Sequence, residues 1–525
     1  MLIINIGEYK PTIMGAAKIN ENPVIIDSTK KLQVSPYSIK SNKVTTSFGV
    51  EPIKPAQMVG EPLTKLYNSF VKLGMGTYST PYGELWVNNL RSKDVAVGAR
   101  LKHLSSAFTS KNYGYAGYSD NEISLYGKKF LKDHILLANF DYVRNVVHAY
   151  GYDIQKYALR RDTTEQLYNL FSGNAQFKSQ YTSPKRIHHD VNLSYYNLSG
   201  PFKSSENNIK ATGIVQTTVG KEQIKVNALV DFYNYNNAKD TVNNTIVSLT
   251  PQFVSKGDKY SANLGFTATM DAQVKSKFYF YPSVDVSYNV FENIIIPYAG
   301  ATGSIQKNSY KALKDANPFV RSELTMKNSN KIYEVYGGIK GTISSTTSYS
   351  TRVSYNSIEN MAMFVNDTTE LQNKFIVIYD NSQVLKVNGE VGYQVREKLR
   401  INLRGDYFGY KMKTELKAWY KPQVQFTLSG NYNLREKIVV KVDLFYIDSQ
   451  YSKSFTTDAK SPSGKKAIAT ELKGVFDANL GAEYRYNKNF GFFITFNNIA
   501  NYRYYRWSNY PSQKFSLMGG LSYSF

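Results

Sequence analysis

Phe515-Ser-Leu-Met-Gly-Gly-Leu-Ser-Tyr-Ser-Phe525, the final stretch of the chain, alternates apolar with small or polar residues and stops on an aromatic. A strand places successive side chains on opposite faces. Phe515, Leu517, Gly519, Leu521, Tyr523 and Phe525 therefore share one face, and Ser516, Met518, Gly520, Ser522 and Ser524 share the other. One surface of this strand is greasy and the other is mostly wettable.

The same period of two recurs far upstream. Val95, Val97, Ala99 and Leu101 alternate with Ala96, Gly98, Arg100 and Lys102. Val284, Val286, Tyr288 and Val290 alternate with Ser283, Asp285, Ser287 and Asn289. Ile401, Leu403, Gly405 and Tyr407 do so with Asn402, Arg404 and Asp406, and Val440, Val442, Leu444 and Tyr446 with Lys441, Asp443 and Phe445. With a little flank, each run approaches the roughly nine to eleven residues that a tilted strand needs to cross a bilayer. A sheet this long with one continuous polar face must close on itself, because lipid tolerates no open edge.

Tight turns are read at Ser183-Pro-Lys185, Gly220-Lys-Glu222, Lys256-Gly-Asp258, Phe291-Glu-Asn293, Asn328-Ser-Asn330, Arg396-Glu-Lys398, Arg435-Glu-Lys437 and Asn487-Lys-Asn489. Longer connections fall between them at 109–119, 151–164, 307–318 and 453–470. Further turns near Ser92, Asp133 and Ile358 bring the expected count to about 22 strands, within a range of roughly 20 to 24. The stretch 344–381 gives no clear strand count, and Pro282 and Pro297 are expected at strand ends or bulges, since proline cannot donate to a ladder. The fold class is all-β, a transmembrane antiparallel β-barrel with short periplasmic turns and long extracellular loops. Residues 1–62 hold six prolines and no sustained period, and read as an extended arm, periplasmic or lumenal; residues 63–525 read as the barrel.

Composition agrees with a membrane barrel. The 525 residues exceed what one solvated core usually holds, mean hydropathy is −0.40, and no run approaches the roughly eighteen apolar residues of a membrane helix. Tyrosine (44) and phenylalanine (28) are abundant, as aromatic girdles require. No cysteine is present, which excludes disulfides, thiolate zinc sites and thiol catalysis. The net charge of +23 is spread over strands, turns and loops rather than clustered, so nucleic acid is not an expected partner. On a barrel, a basic lumen favours anions and basic rims meet lipopolysaccharide. The start, Met1-Leu-Ile-Ile-Asn-Ile-Gly7, has no basic n-region and no small-residue cleavage site. A signal peptide is therefore expected upstream, or the chain is given in mature form.

Chemistry-bearing motifs are few. His188-His189-Asp190 invites a metal or acid–base reading, but adjacent strand residues face opposite ways and cannot share a ligand site. Zincin, phosphate-loop, nucleophile-elbow and dinucleotide signatures are lacking. Gly74-Met-Gly76 reads as two glycines making room for a neighbour. No catalytic residue, cofactor or metal site is expected.

The terminal strand resembles the closing strand of bacterial outer-membrane barrels. The resemblance implies that Phe515, Leu517, Leu521, Tyr523 and Phe525 act as an assembly signal read by the barrel-assembly machinery. The preceding region, Gly491-Phe-Phe-Ile-Thr-Phe-Asn-Asn-Ile-Ala-Asn-Tyr-Arg-Tyr-Tyr505 with Asn509-Tyr-Pro511, resembles TonB-dependent receptors, whose penultimate strand runs into an Asn-Leu/Ile-x-Asn-x-x-Tyr element and an aromatic, proline-containing loop. Asn498, Ile499, Asn501, Tyr504, Tyr510 and Pro511 occupy the matching positions. That family also carries an N-terminal plug domain, for which residues 1–62 offer no βαβ pattern, so the expectation is a barrel of this type without the standard plug. The implied function is passage of a solute across the Gram-negative outer membrane. The alternative is a non-transporting scaffold subunit of an assembly, secretion or surface-protein complex. Expected partners are outer-membrane lipid, lipopolysaccharide, the assembly machinery, and a surface lipoprotein or larger complex.

Overall fold

The computed structural model describes residues 67–525 apart from Arg91, Val274 and 458–464, so the expected arm lies outside the described residues. In chain order the strands are β1 (Ser69–Gly76), β2 (Thr80–Asn88), β3 (Val95–Ser106), β4 (Tyr118–Phe130), β5 (His134–His148), β6 (Glu165–Ser179), β7 (His188–Ser199), β8 (Ser205–Val219), β9 (Glu222–Asn236), β10 (Thr241–Lys256), β11 (Tyr260–Asp271), β12 (Lys277–Tyr288) and β13 (Ile296–Gln306). They continue with β14 (Ser329–Ser344), β15 (Thr347–Asn366), β16 (Phe375–Val395), β17 (Leu399–Met412), β18 (Val424–Leu434), β19 (Ile438–Ile447), β20 (Gln450–Thr457), β21 (Lys465–Leu472), β22 (Val475–Arg485), β23 (Phe490–Asn497), β24 (Tyr505–Trp507), β25 (Tyr510–Pro511) and β26 (Ser516–Ser524). Two short helices sit in connections, α1 (Arg161–Thr164) and α2 (Tyr310–Ala316).

All but β20, β21, β24 and β25 form one 22-stranded sheet, which closes where β1 pairs antiparallel with β26. Chain neighbours pair antiparallel around the circuit. Alternation decides the two surfaces. Leu521 and Tyr523 of β26 and Phe525 just after it are exposed on the outer wall, as are Leu136 and Phe140 of β5, Val191 and Leu193 of β7, and Phe278 and Phe280 of β12. Water would not tolerate so continuous an apolar belt, and lipid is its proper solvent. The opposite face is charged. Arg100 bonds Glu84 at 2.9 Å and Glu122 at 2.8 Å, and Glu334 pairs with Lys331 and Arg352, both at 2.8 Å. The molecule is an integral barrel of the outer-membrane kind.

The seam is built by small residues and the last residue. A Cβ on Gly74 would lie 2.7 Å from the Phe493 ring, and one on Gly520 would lie 2.1 Å from the Leu73 carbonyl. Gly74 thus makes room for a neighbour as its sequence context suggests. The Phe525 carbonyl accepts from the amides of Asn68 (3.1 Å) and Ser69 (3.0 Å).

Several local expectations are corrected. Asn328-Ser-Asn330 is no tight turn but the end of the connection 307–328, running into β14. Ile358 lies inside β15, where the register with β16 shifts and Asn360 takes φ 52°. The true turn is 345–346, and 344–381 contains β15 and the start of β16. These two strands, at 20 and 21 residues, run well past what a bilayer needs. The segment read as an irregular connection at 453–470 belongs to a hairpin, β20 with β21. Pro282 sits within β12, one residue beyond the last pair that β12 makes with β13 (Ser283 with Thr302), so its missing N–H costs no rung there. Pro297 lies at the start of β13.

Both described termini lie at the end where the connections are turns such as 220–221, 345–346 and 435–437. The opposite end carries 107–117, 149–164, 307–328, 413–423, 448–474 and 498–515. Outer connections 77–79 and 237–240 are as short as the turns, so long outer loops are not uniform.

Candidate functional site

The connection 307–328 crosses the outer mouth. Ser309 ends the extended run into α2 and caps it, its hydroxyl accepting from Ala312 N at 3.2 Å. The first turn has a second acceptor: buried Glu206 of β8 takes Tyr310 N at 2.6 Å, Lys311 N at 3.4 Å and the Tyr196 hydroxyl at 2.6 Å. Tyr310, wholly buried, lies 4.8 Å from the Tyr235 ring. Leu313, Val320, Leu324 and Met326 join Tyr168, Leu198, Tyr233, Tyr235 and Val377 in one apolar cluster. Tyr168, Leu198, Tyr233 and Tyr235 sit on the lumen side, since Phe171, Val191, Leu193, Val230 and Phe232 on the same strands hold the outer wall. Lys307 pairs with Asp231 at 2.6 Å, Tyr168 donates to Pro318 O at 2.9 Å, Tyr235 donates to Ser322 O, and Lys314 donates to Asn145 of β5 at 3.2 Å. A connection between β13 and β14 is thus fastened to β5–β9, on another sector of the wall.

A second cluster continues the cover. Trp419 and Tyr420 come from 413–423, Trp507 and Tyr510 from 498–515, and Met363, Val365 and Phe375 from the tall β15–β16 hairpin. Phe319 stacks on Tyr510 at 4.0 Å, and Tyr510 donates to Asn373 O. Burial drives the Tyr510 hydroxyl pKa well above its ordinary value, so it stays a donor. Segment 319–321 pairs in parallel with Phe375, fixing the two clusters to each other. Together they form a lid.

Beside the lid, 107–117, 149–164 and 498–515 enclose an open pocket of about 780 Å³. Lys111, Arg161 and Arg503 line it with Tyr113, Tyr115 and Tyr152, and no carboxylate is among the lining residues. Arg161 lies 4.1 Å over the Tyr115 ring, leaving its N–H edge free to donate. Among the described residues the buried Ser110 hydroxyl and the Arg503 Nε find no hydrogen-bond partner. Three cations with no carboxylate in the lining suit an anionic ligand. Tyr113 is pushed up to about 12 by burial and by Tyr505 beside it, and remains protonated at physiological pH.

The residues expected from sequence fall into place as follows. Asn498, at φ 50°, donates to Tyr502 O and Gln513 O, both at 2.7 Å, and accepts from Tyr502 N at 3.1 Å. Asn501, at φ 56°, accepts from Phe515 N at 3.2 Å. Ile499 N reaches Ala478 O at 3.0 Å, and Tyr504 N reaches Ser512 Oγ at 3.2 Å. Tyr510 and Pro511 form β25. These residues fold the last loop and deliver Tyr510 to the lid. Phe515, Leu521, Tyr523 and Phe525 lie exposed on the outer wall. Sequence reasoning missed the pocket cations, Glu206 and the lid helix; Ser309 before Tyr310-Lys-Ala-Leu313 was the available signal for that helix. Among the described residues no group of three His, Asp or Glu side chains is placed to hold a metal ion.

The sequence matches no protein-family model and no curated protein. The fold does match solved structures. The FrpB iron transporter from Neisseria meningitidis (F3-3 variant) aligns with a TM-score of 0.68 at 10% identity, over 88% of this chain and 82% of that one. The siderophore receptor PirA from Acinetobacter baumannii aligns at 0.66 and 10% identity, over 89% and 81%. The pyoverdine outer membrane receptor FpvA from Pseudomonas aeruginosa aligns at 0.64 and 12% identity, over 89% and 79%. The chain has the 22-strand fold of the TonB-dependent outer-membrane receptors.

Proposed function

We propose that this barrel passes a solute across the outer membrane, with capture in the cationic, tyrosine-lined pocket and entry to the lumen when the lid moves. The observation that carries the reading is the lid itself, several connections packed together across the mouth of a charged lumen. Solved structures of the same fold support it, among them an iron transporter and a siderophore receptor. No residue is assigned a catalytic role. Outer-membrane phospholipid, lipopolysaccharide, the assembly machinery and a surface lipoprotein remain the proposed partners, and the odd-numbered face of β26 remains the proposed assembly signal.

Planar-bilayer recording tests the reading on the full chain and on a variant with 310–326 replaced by a short Gly-Ser linker. Conductance that rises sharply on shortening, with anions favoured, supports passage. A silent barrel in both forms, correctly inserted, overturns it and favours the scaffold alternative, which the covered mouth and the β20–β21 hairpin suit.

A further inference from the structure

Three of the chain's five histidines meet at the turn end of β5–β7. His134 stacks on Phe177 (4.7 Å, 11°), lies 5.2 Å from the His189 ring, and meets Tyr181 edge-on at 5.4 Å. His188 also meets Tyr181, at 5.8 Å, and its Nε2–H donates to Ser183 O at 3.0 Å. The Arg186 guanidinium covers Tyr181 at 3.5 Å, half exposed, with Asp133 only 3.6 Å away as a loose partner.

The cluster faces lipid rather than lumen. His134 shares its face of β5 with Leu136, Ala138, Phe140 and Tyr142, and His189 shares its face of β7 with Val191, Leu193 and Tyr195, all outer-wall positions. Depth follows from geometry. The next charge on the His134 face is Arg144. At a rise of about 3.3 Å per residue and a tilt of about 40°, the two are separated by about 25 Å along the normal. That is the height of the apolar band, so Arg144 marks one interface and the histidine cluster the other. Turns being periplasmic, the cluster lies at the inner-leaflet headgroups.

An aromatic girdle requires amphipathic rings but neither imidazoles nor a guanidinium. Here donors are left over. With the Tyr181 hydroxyl donating to His134 Nε2 at 3.1 Å, the Nδ1–H of His134 is unspent, and neither ring nitrogen of His189 has a partner among the described residues. We propose that Arg186, His134 and His189 form a headgroup site for an inner-leaflet phospholipid. The phosphate is held by the guanidinium and the two free imidazole N–H groups. The acyl chains run up the wall over Leu136, Val191 and Leu193.

Native mass spectrometry of the full chain, released from detergent with dioleoylphosphatidylglycerol or with dioleoylglycerol, tests this. The wild type should retain one phospholipid about tenfold more strongly than the double variant R186Q/H189L, while both retain the phosphate-free lipid equally. Equal phospholipid retention by the two proteins overturns the site. So does an equal loss in K132Q, an exposed turn lysine outside the cluster, because the effect would then be general surface charge. Heat-dependent gel mobility confirms the closed barrel. Should the double variant not assemble, R186Q alone must lower retention several-fold, and unchanged retention there overturns the site as well.

Discussion

Replacing Glu206 with alanine should undock the lid while leaving the barrel closed. The Glu206 side chain is fully buried and accepts Tyr310 N and the Tyr196 hydroxyl, both at 2.6 Å. Truncation orphans both donors, at about 1–3 kcal/mol each. Neglecting the longer Lys311 contact, the docked lid loses about 4 kcal/mol, which raises the undocked-to-docked ratio by about a thousandfold at roughly 1.4 kcal/mol per decade. The ladders from β8 to β7 and β9 are backbone hydrogen bonds and survive. The assay is built into the sequence, because two of the three tryptophans, Trp419 and Trp507, lie buried in the lid while Trp86 lies on the lumen wall near Arg100. Undocking should red-shift the emission, raise quenching by acrylamide and increase channel openings in planar bilayers. Unchanged emission would refute the energetic argument. A red shift without any gain in conductance would refute the lid as the closure.

Lys314 in α2 is desolvated, which lowers its pKa, so the docked lid disfavours the charged form. Docking therefore strengthens as pH rises from the lowered value toward 10.5; Lys314→Met should tighten the lid at neutral pH and abolish that alkaline tightening, read by acrylamide quenching. At the pocket, Lys111→Gln with Arg503→Gln should weaken binding of a fluorescent sulfonated dye by ten- to a hundredfold, since a hydrogen bond to a charged group is worth about 1.5–3 kcal/mol; equal affinity would remove the pocket from the capture role. Gly520→Val puts a Cβ 2.1 Å from Leu73 O and should abolish the heat-resistant, fast-migrating barrel on gels. Phe525→Ala keeps the backbone bonds to Asn68 and Ser69, so it should slow assembly in cells yet leave the melting of the assembled barrel within about 1 kcal/mol of wild type.

The barrel was legible because lipid on one side and water on the other impose a period of two on every spanning strand. Val284 to Tyr288 and Ile401 to Tyr407 show it plainly, and both lie in strands, whereas Val290 falls in the turn after β12. Legibility failed where that constraint stops. The shift near Ile358–Met361 breaks the phase inside one long strand and mimics a turn. In the lid, Leu313, Val320, Leu324 and Met326 follow no period, because their partners Tyr168, Leu198 and Tyr235 stand on distant strands. The pocket was illegible for the same reason, with Lys111, Arg161 and Arg503 brought together only by the closed circuit. The motif at Asn498 and Asn501 was visible, and it serves to shape a loop: two left-handed asparagines fold the segment that presents Tyr510.

The seam has a consequence for how the molecule is made. β1 pairs with β2 on one side, and on the other its partner is β26; the amides of Asn68 and Ser69 both donate to the carbonyl of the final residue. Every shorter chain therefore carries two raw edges, one at its oldest strand and one at its newest. Such edges recruit foreign strands, and the pairing that removes them is the least local in the protein and so the slowest to form. The first strand must wait, guarded, for the whole of synthesis. A chain that stops early cannot hide the fact, because its unfinished rim is itself the mark by which a cell can tell it from a complete one.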